Sequence, residues 1–209
     1  MNDSASFLGQ DSDSDAFSRN VKFSLLGVSP YYEASFAPFS DQTLADDWQE
    51  WCSSVFAKIL GPSIRDAVIL GQSMQIREIA DIDRSLTNQL GDELSQILTA
   101  AGKPFTEGKE NMRGHREWSK YTALIEAANA PGHLPIVFAL HSVLFRMPLA
   151  AALQTYCWLE WKAGHRMVDR TVSAGYPEDP SPLFLIAKDS IAEVLQPDSD
   201  DQSPTLKAI

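Results

Sequence analysis

Apolar side chains recur at intervals of three and four along most of residues 40–196, a period that predicts helices rather than strands. From a cap at Ser40 or Asp41, Leu44, Trp48, Trp51, Val55, Phe56, Ile59 and Leu60 share one broad face, and Gly61-Pro62 is expected to stop the helix. Past Pro62 a second helix turns Ile64, Ala67, Val68 and Leu70 inward. A third carries Ile76, Ile79, Ile82 or Asp83, and Leu86, as far as Leu90. A fourth, Asp92 to Ala101, buries Leu94, Ile97 and Leu98 and is expected to end at Gly102, a residue suited to the left-handed position past a helix. Met112, Trp118, Tyr121, Leu124, Ile125 and Ala128 keep helical spacing within 105–129, ahead of Pro131-Gly132.

The apolar run from Leu134 to Arg146 predicts a helix stopped at Met147-Pro148. Being apolar on nearly every side, it is expected at the centre of the bundle. Pro148 suits the first turn of a long helix through Leu149, Leu153, Tyr156, Leu159, Ala163 and Met167, ended by Gly175-Tyr176-Pro177. A last helix places Leu183, Leu185, Ile186, Ile191 and Val194. No bounded run alternates apolar and polar residues as a strand would. The fold class is therefore all-α, a single bundle of seven to nine helices spanning 40–196. Residues 1–20 and 197–209 are too rich in Asp and Ser to bury a core and are expected to be flexible acidic tails. Residues 21–39, aromatic and containing Pro30 and Pro38, form an irregular arm that either packs on the core or docks on a partner.

Composition narrows the classes of partner. In 209 residues the formal net charge is -11, a field that repels nucleic acid and anionic membrane. The N-terminus lacks the basic and apolar regions of a secretory signal, and the apolar run at 134–145 is too short to span a bilayer. A cytoplasmic location follows as the expectation. Cys52 and Cys157 are far apart in the chain and are expected to be buried and reduced.

The candidate chemistry is thin. None of His115, His133, His141 and His165 pairs at the spacing of a helical zinc site, and no metal, cofactor or catalytic residue is expected. His141 could face Glu160 or His165, and His133, in the turn Pro131-Gly132-His133, is expected to cap the next helix. Asp46-Asp47, Asp81/Asp83 and Asp92-Glu93 are expected at helix starts or on solvent faces, where the dipole favours them. Gly102 to Gly108 lacks the Gly-Lys-Ser/Thr ending of a phosphate loop. Two basic stretches, Lys103 to Lys120 and Lys162 to Arg170, either satisfy helix C-termini or form a docking patch for an acidic partner.

Three segments in order, REIADIDRSLTNQLGDEL, HLPIVFALHSVLFRMPLAAALQTYCWLEW and RTVSAGY, followed by a closing amphipathic helix, resemble the urease accessory protein F family. Arg170 stands five residues before Gly175, a spacing that the family shares. The resemblance implies a non-enzymatic, all-helical scaffold that bridges a GTPase, a second accessory protein and apo-urease, or a related client enzyme, during nickel insertion. It assigns partner contact to Arg166, Arg170, Gly175 and Tyr176, and leaves a homodimer open. Two readings stand beside it. One is another helical maturation chaperone, of the molybdoenzyme type. The other is a helical enzyme similar to haem oxygenase or thiaminase, which would need His133 or His141 as a ligand, or a cysteine and carboxylates around a pocket.

Overall fold

Gly61-Pro62 does not stop a helix. In the computed structural model, which describes Ser35 and residues 44–107, 115–168 and 181–196, the chain stays helical from Leu44 to Gln72. Helix α1 (Leu44–Trp51) passes into a π-helical stretch (Cys52–Leu60), which passes into α2 (Gly61–Gln72). Proline lacks an N–H, and its ring would strike the carbonyl four residues back. The widened turns ahead of Pro62 relieve that clash, with the Gly61 N–H bonding back to the Phe56 oxygen. The Ser63 hydroxyl, 2.8 Å away, donates to the Ile59 carbonyl beside the break. Gly61 has a packing reason as well: a Cβ there would lie 2.6 Å from Val194 Cγ2 on the last helix.

The remaining helices are α3 (Ile76–Thr106), α4 (Arg116–Glu126), α5 (Leu134–Leu144), α6 (Leu149–Val168) and α7 (Ser181–Leu195). Among the described residues there are thus six helical runs and no strand, an all-α fold with fewer helices than the seven to nine expected. The third and fourth predicted helices do meet at Gly91, whose φ of 74° and ψ of 168° break α3 without ending it. Gly102 ends nothing. It is buried inside α3, where an added Cβ would stand 2.0 Å from the Gly132 carbonyl oxygen, so its value is the close approach of helix and loop. The helix expected across 105–129 is shorter and starts at Arg116. Pro148 immediately precedes α6, and its carbonyl accepts the Ala152 N–H at 2.9 Å. The cap expected at Ser40 or Asp41, both tails, and the arm apart from Ser35 lie outside the described residues.

Helix α5 occupies the centre, as its composition predicts, with Leu134 through Ser142 all buried and α2 and α3 packed against it. Helix α7 closes the bundle against α6, α2 and the π stretch, while α4 lies along α3. At one side Trp48 stacks on Trp51 at 4.9 Å between centroids and meets Trp161 edge-on at 5.4 Å. Ser35 reaches this cluster from outside the bundle: its N–H donates to Glu160 Oε2 at 2.7 Å, and its hydroxyl oxygen accepts from Trp51 Nε1 at 2.9 Å. Cys52 and Cys157 are both buried and free. Burial pushes the Cys52 thiol up to about 12, and the Cys157 thiol rises for the same reason, with Cys52 and Glu160 adding to it.

Three helices end with a residue other than glycine in the left-handed region. Met74, Ala128 and Arg146 have φ of 58°, 55° and 54°. Each is followed by a backbone bond five residues back, Gln75 to Leu70, Asn129 to Leu124 and Met147 to Ser142, the pattern that glycine normally serves.

Replacing the exposed Ala128 with Gly is therefore expected to raise stability by ~0.5–1 kcal/mol, since left-handed strain outweighs the added chain entropy. Replacing Gly102 with Ala is expected to lower it by about 3 kcal/mol through overpacking. Urea melts of both variants check the pair. The thiols make a second prediction. A group held protonated by folding stabilises fully below its unfolded value and loses that contribution as pH rises towards its folded value. The Cys52 contribution should thus fade between pH 9.0 and about 12. At pH 8 neither cysteine should react with a thiol reagent until denaturant is added.

Candidate functional site

Helix α4 and the turn before α5 converge on Asp83 of α3. The inward positions of α3 run Ile76, Ile79, Asp83 and Leu86, so the residue that the helical period turns to the core here is a carboxylate, fully buried, with Ile82 only half-buried beside it. A bare buried charge would be costly, and four donors satisfy this one. Asp83 Oδ2 accepts from Tyr121 Oη of α4 at 2.7 Å and from the Gly132 N–H at 2.7 Å. Oδ1 accepts from the His133 N–H at 3.1 Å and from His133 Nδ1 at 2.8 Å. Gly132 and His133 precede α5, so Asp83 supplies from another helix the negative charge that the positive end of α5 favours. Gly132 turns its amide inward with φ of 80°, a conformation that glycine adopts without strain.

His133 continues the chain of bonds. Nδ1 faces a carboxylate, which can only accept, and so donates to it. Ser95 Oγ lies 2.8 Å from Nε2, within hydrogen-bond distance. Ser95 stands on α3 beyond the Gly91 break and Asp83 before it, so His133 ties together the two halves of one helix. Burial first, and then the Asp83 charge and the hydrogen bond to it, hold the Tyr121 phenol far above its ordinary value, so it remains a donor.

A cleft of about 500 Å³ opens beside this network. Its walls include Thr99 and Lys103 of α3 and Trp118 and Thr122 of α4, and Gly132 lies in its lining. Several of its hydroxyls bond their own helices: Thr122 to the Trp118 carbonyl at 3.1 Å and Thr106 to the Lys103 carbonyl at 2.9 Å. Lys103 pairs with Glu107 across one turn at 3.8 Å, an exposed pair of small energetic weight.

These positions revise several sequence expectations. His133 precedes α5 but makes no side-chain cap, because its ring is spent between Asp83 and Ser95. With both nitrogens engaged, it has no lone pair left for a metal or haem. Asp83 is neither at a helix start nor on a solvent face. His141 is buried among rings, 4.9 Å from Phe105, 6.2 Å from Trp118 and 4.6 Å from Phe145. Lys162, from the second basic stretch, has its ammonium buried over the Trp158 ring at 4.9 Å. The side chain of Arg166, and Arg170, Gly175 and Tyr176 entirely, lie outside the described residues. Among the described residues no group of three or more His, Cys, Asp and Glu side chains is placed to hold a metal ion, and no helix is long and apolar enough to cross a membrane.

A family model described as UreF matches residues 40–162, the stretch that contains every member of the Asp83 network. No curated protein and no solved structure matches the chain.

Loss of the carboxylate should be severe. Asp83→Ala is expected to cost about 3–5 kcal/mol, because four donors lose their acceptor in a dry site. Tyr121→Phe, which removes one donor, should cost about 1–3 kcal/mol. Chemical denaturation measures both, and a cost below ~1 kcal/mol for Asp83→Ala would mean that the network contributes little to the fold.

Proposed function

The chain belongs to the UreF family of urease accessory proteins, and from that premise we propose that it is a non-enzymatic cytoplasmic scaffold for metalloenzyme maturation. It brings a GTPase and a second accessory protein to apo-urease, or to a related client enzyme, so that nickel can be inserted. The metal is cargo for the client, and the scaffold needs no ligand set of its own. The single observation that carries this reading is the family match over 40–162, which spans the interior of the bundle from α1 into α6.

Two physical features agree with a scaffold. The buried polar groups around Asp83 are paired with one another: Tyr121, Gly132 and His133 all donate to its carboxylate. A net charge of -11 suits association with basic partner surfaces and disfavours nucleic acid. Arg166 and Arg170 in the second half of the long helix, followed by Gly175 and Tyr176, form the proposed partner-binding patch. Arginine fits that task because its planar fork pairs with carboxylates in two-point contact.

The test is a tagged pull-down from the native host in low salt. The scaffold reading expects the GTPase and urease subunits or their accessory proteins on the bait. A different metalloenzyme precursor in their place would replace urease as the client. In the same assay, reversing Arg166 and Arg170 together to Glu is expected to abolish capture while helicity and melting temperature stay nearly unchanged. Intact capture by the double reversal would remove these arginines from the interface.

A further inference from the structure

A second, open groove of about 400 Å³ lies where the first turns of α3 meet the end of α4. Two arginines, Arg77 and Arg84, line it on a chain whose formal net charge is -11. We propose that this groove receives an extended acidic segment of a partner protein, each arginine pairing with one carboxylate.

The arginines stand seven residues apart on α3, which places them on one face, about 10 Å apart along the helix axis. Arg84 is held in place. Its Nη2 donates to Asp81 Oδ1, and its Nη1 donates to the Asn129 carbonyl, just past the left-handed Ala128. A guanidinium has five N–H donors, so three on Arg84 remain for a ligand. Arg77 is exposed and meets no hydrogen-bond or ionic partner among the described residues. Asp81 also lines the groove and offsets one of the two positive charges, and the balance stays positive.

Charge and spacing choose the occupant. The planar fork of arginine takes a carboxylate in two-point contact. Ala80, Leu124 and Ala128 supply apolar lining between and beside the charges, which suits the backbone and small side chains of a peptide. An extended segment advances about 3.3 Å per residue, so acids three positions apart match the spacing of the two arginines. Nucleic acid repeats its charge along its whole length and is repelled by a field of the same sign.

The groove is formed before any ligand arrives. Its two walls are tied together beneath the surface, where Tyr121 of α4 donates to Asp83 of α3 at 2.7 Å. Fixed walls and an anchored Arg84 lower the ordering cost of binding. The proposal rests on the scaffold reading only for the premise that the ligand is a protein segment. It adds to Arg166 and Arg170 a second contact, on α3 and α4.

The probe is a fluorescein-labelled peptide, acetyl-Leu-Asp-Ala-Ala-Asp-Leu-amide, titrated with the full chain at low salt and followed by fluorescence anisotropy. Saturable binding is expected, weakening as salt is raised. The same peptide with Asn for both Asp should bind ~10-fold more weakly or worse. Arg77→Ala and Arg84→Ala should each weaken binding ~10-fold or more, with helicity and melting temperature kept. Arg77→Lys, which keeps the charge but not the fork, should recover only part of the loss. Should Arg84→Ala lower the melting temperature, Arg77→Ala decides alone, since that side chain has no described partner to lose. Binding unchanged by Arg77→Ala would overturn the proposal, and so would equal binding of an oligothymidylate of the same charge. Binding seen only after Asp198, Asp200 and Asp201 are changed to Asn would assign the groove to this chain's own C-terminal segment and remove the partner. The assay contains no urease component, so its failure is distinct from failure of the scaffold reading in the pull-down.

Discussion

A carboxylate on the apolar face of α3 must find partners or destabilise the core, and the packing of this domain is arranged around that demand. Asp83 draws Tyr121 from α4 and the Gly132-His133 amides from the entrance to α5 onto one pair of oxygens. Those bonds pin the turn before α5, and the turn can reach them only because Gly102 lets its backbone approach α3. Helix α5, apolar all round, then runs from this fixed point through the centre, with α2 and α3 on its flanks. A network in a dry interior is all or nothing: complete, it specifies one arrangement, and with a member missing it leaves a charge or donor without water.

A second, smaller polar cluster does similar work at another side. Glu160 is buried in α6 and accepts the Ser35 amide, while Trp51 donates to the Ser35 hydroxyl. One residue ahead of the first described helix is thereby tied to the interior. The arm thus contributes at least this residue to the core, one of the two uses that its composition allowed.

The helices were legible because their apolar positions follow one period, and α5 announced its central place by lacking a polar face. Two punctuation marks misled. Gly61-Pro62 reads as a stop, but a π-helical stretch absorbs the proline and the glycine serves contact with Val194. Gly102 reads as a C-terminal glycine, but a neighbouring loop 30 positions later in the chain explains it, and no local pattern could show that. Asp83 was half visible. The inward series 76, 79, 83, 86 selects it over Ile82, yet charge argued for the surface, and its compensating donors come from residues 38 to 50 positions away. His133 and Ser95 left no signal, since a capping turn and an ordinary helical serine look the same in sequence whether or not they meet.

For an accessory protein the consequence is a rigid interior on which exposed helical surfaces can be held in register for partners, and the family match covers that interior. The fixed start of α5 depends on Asp83 locking the turn before it. Hydrogen exchange of the Gly132 and His133 amides in the native protein tests it most directly, because exchange through local opening and through global unfolding differ in their response to denaturant. Both amides are expected to exchange only with global unfolding. Exchange at low free energy and independent of denaturant would show that the turn opens alone and that the carboxylate does not hold it.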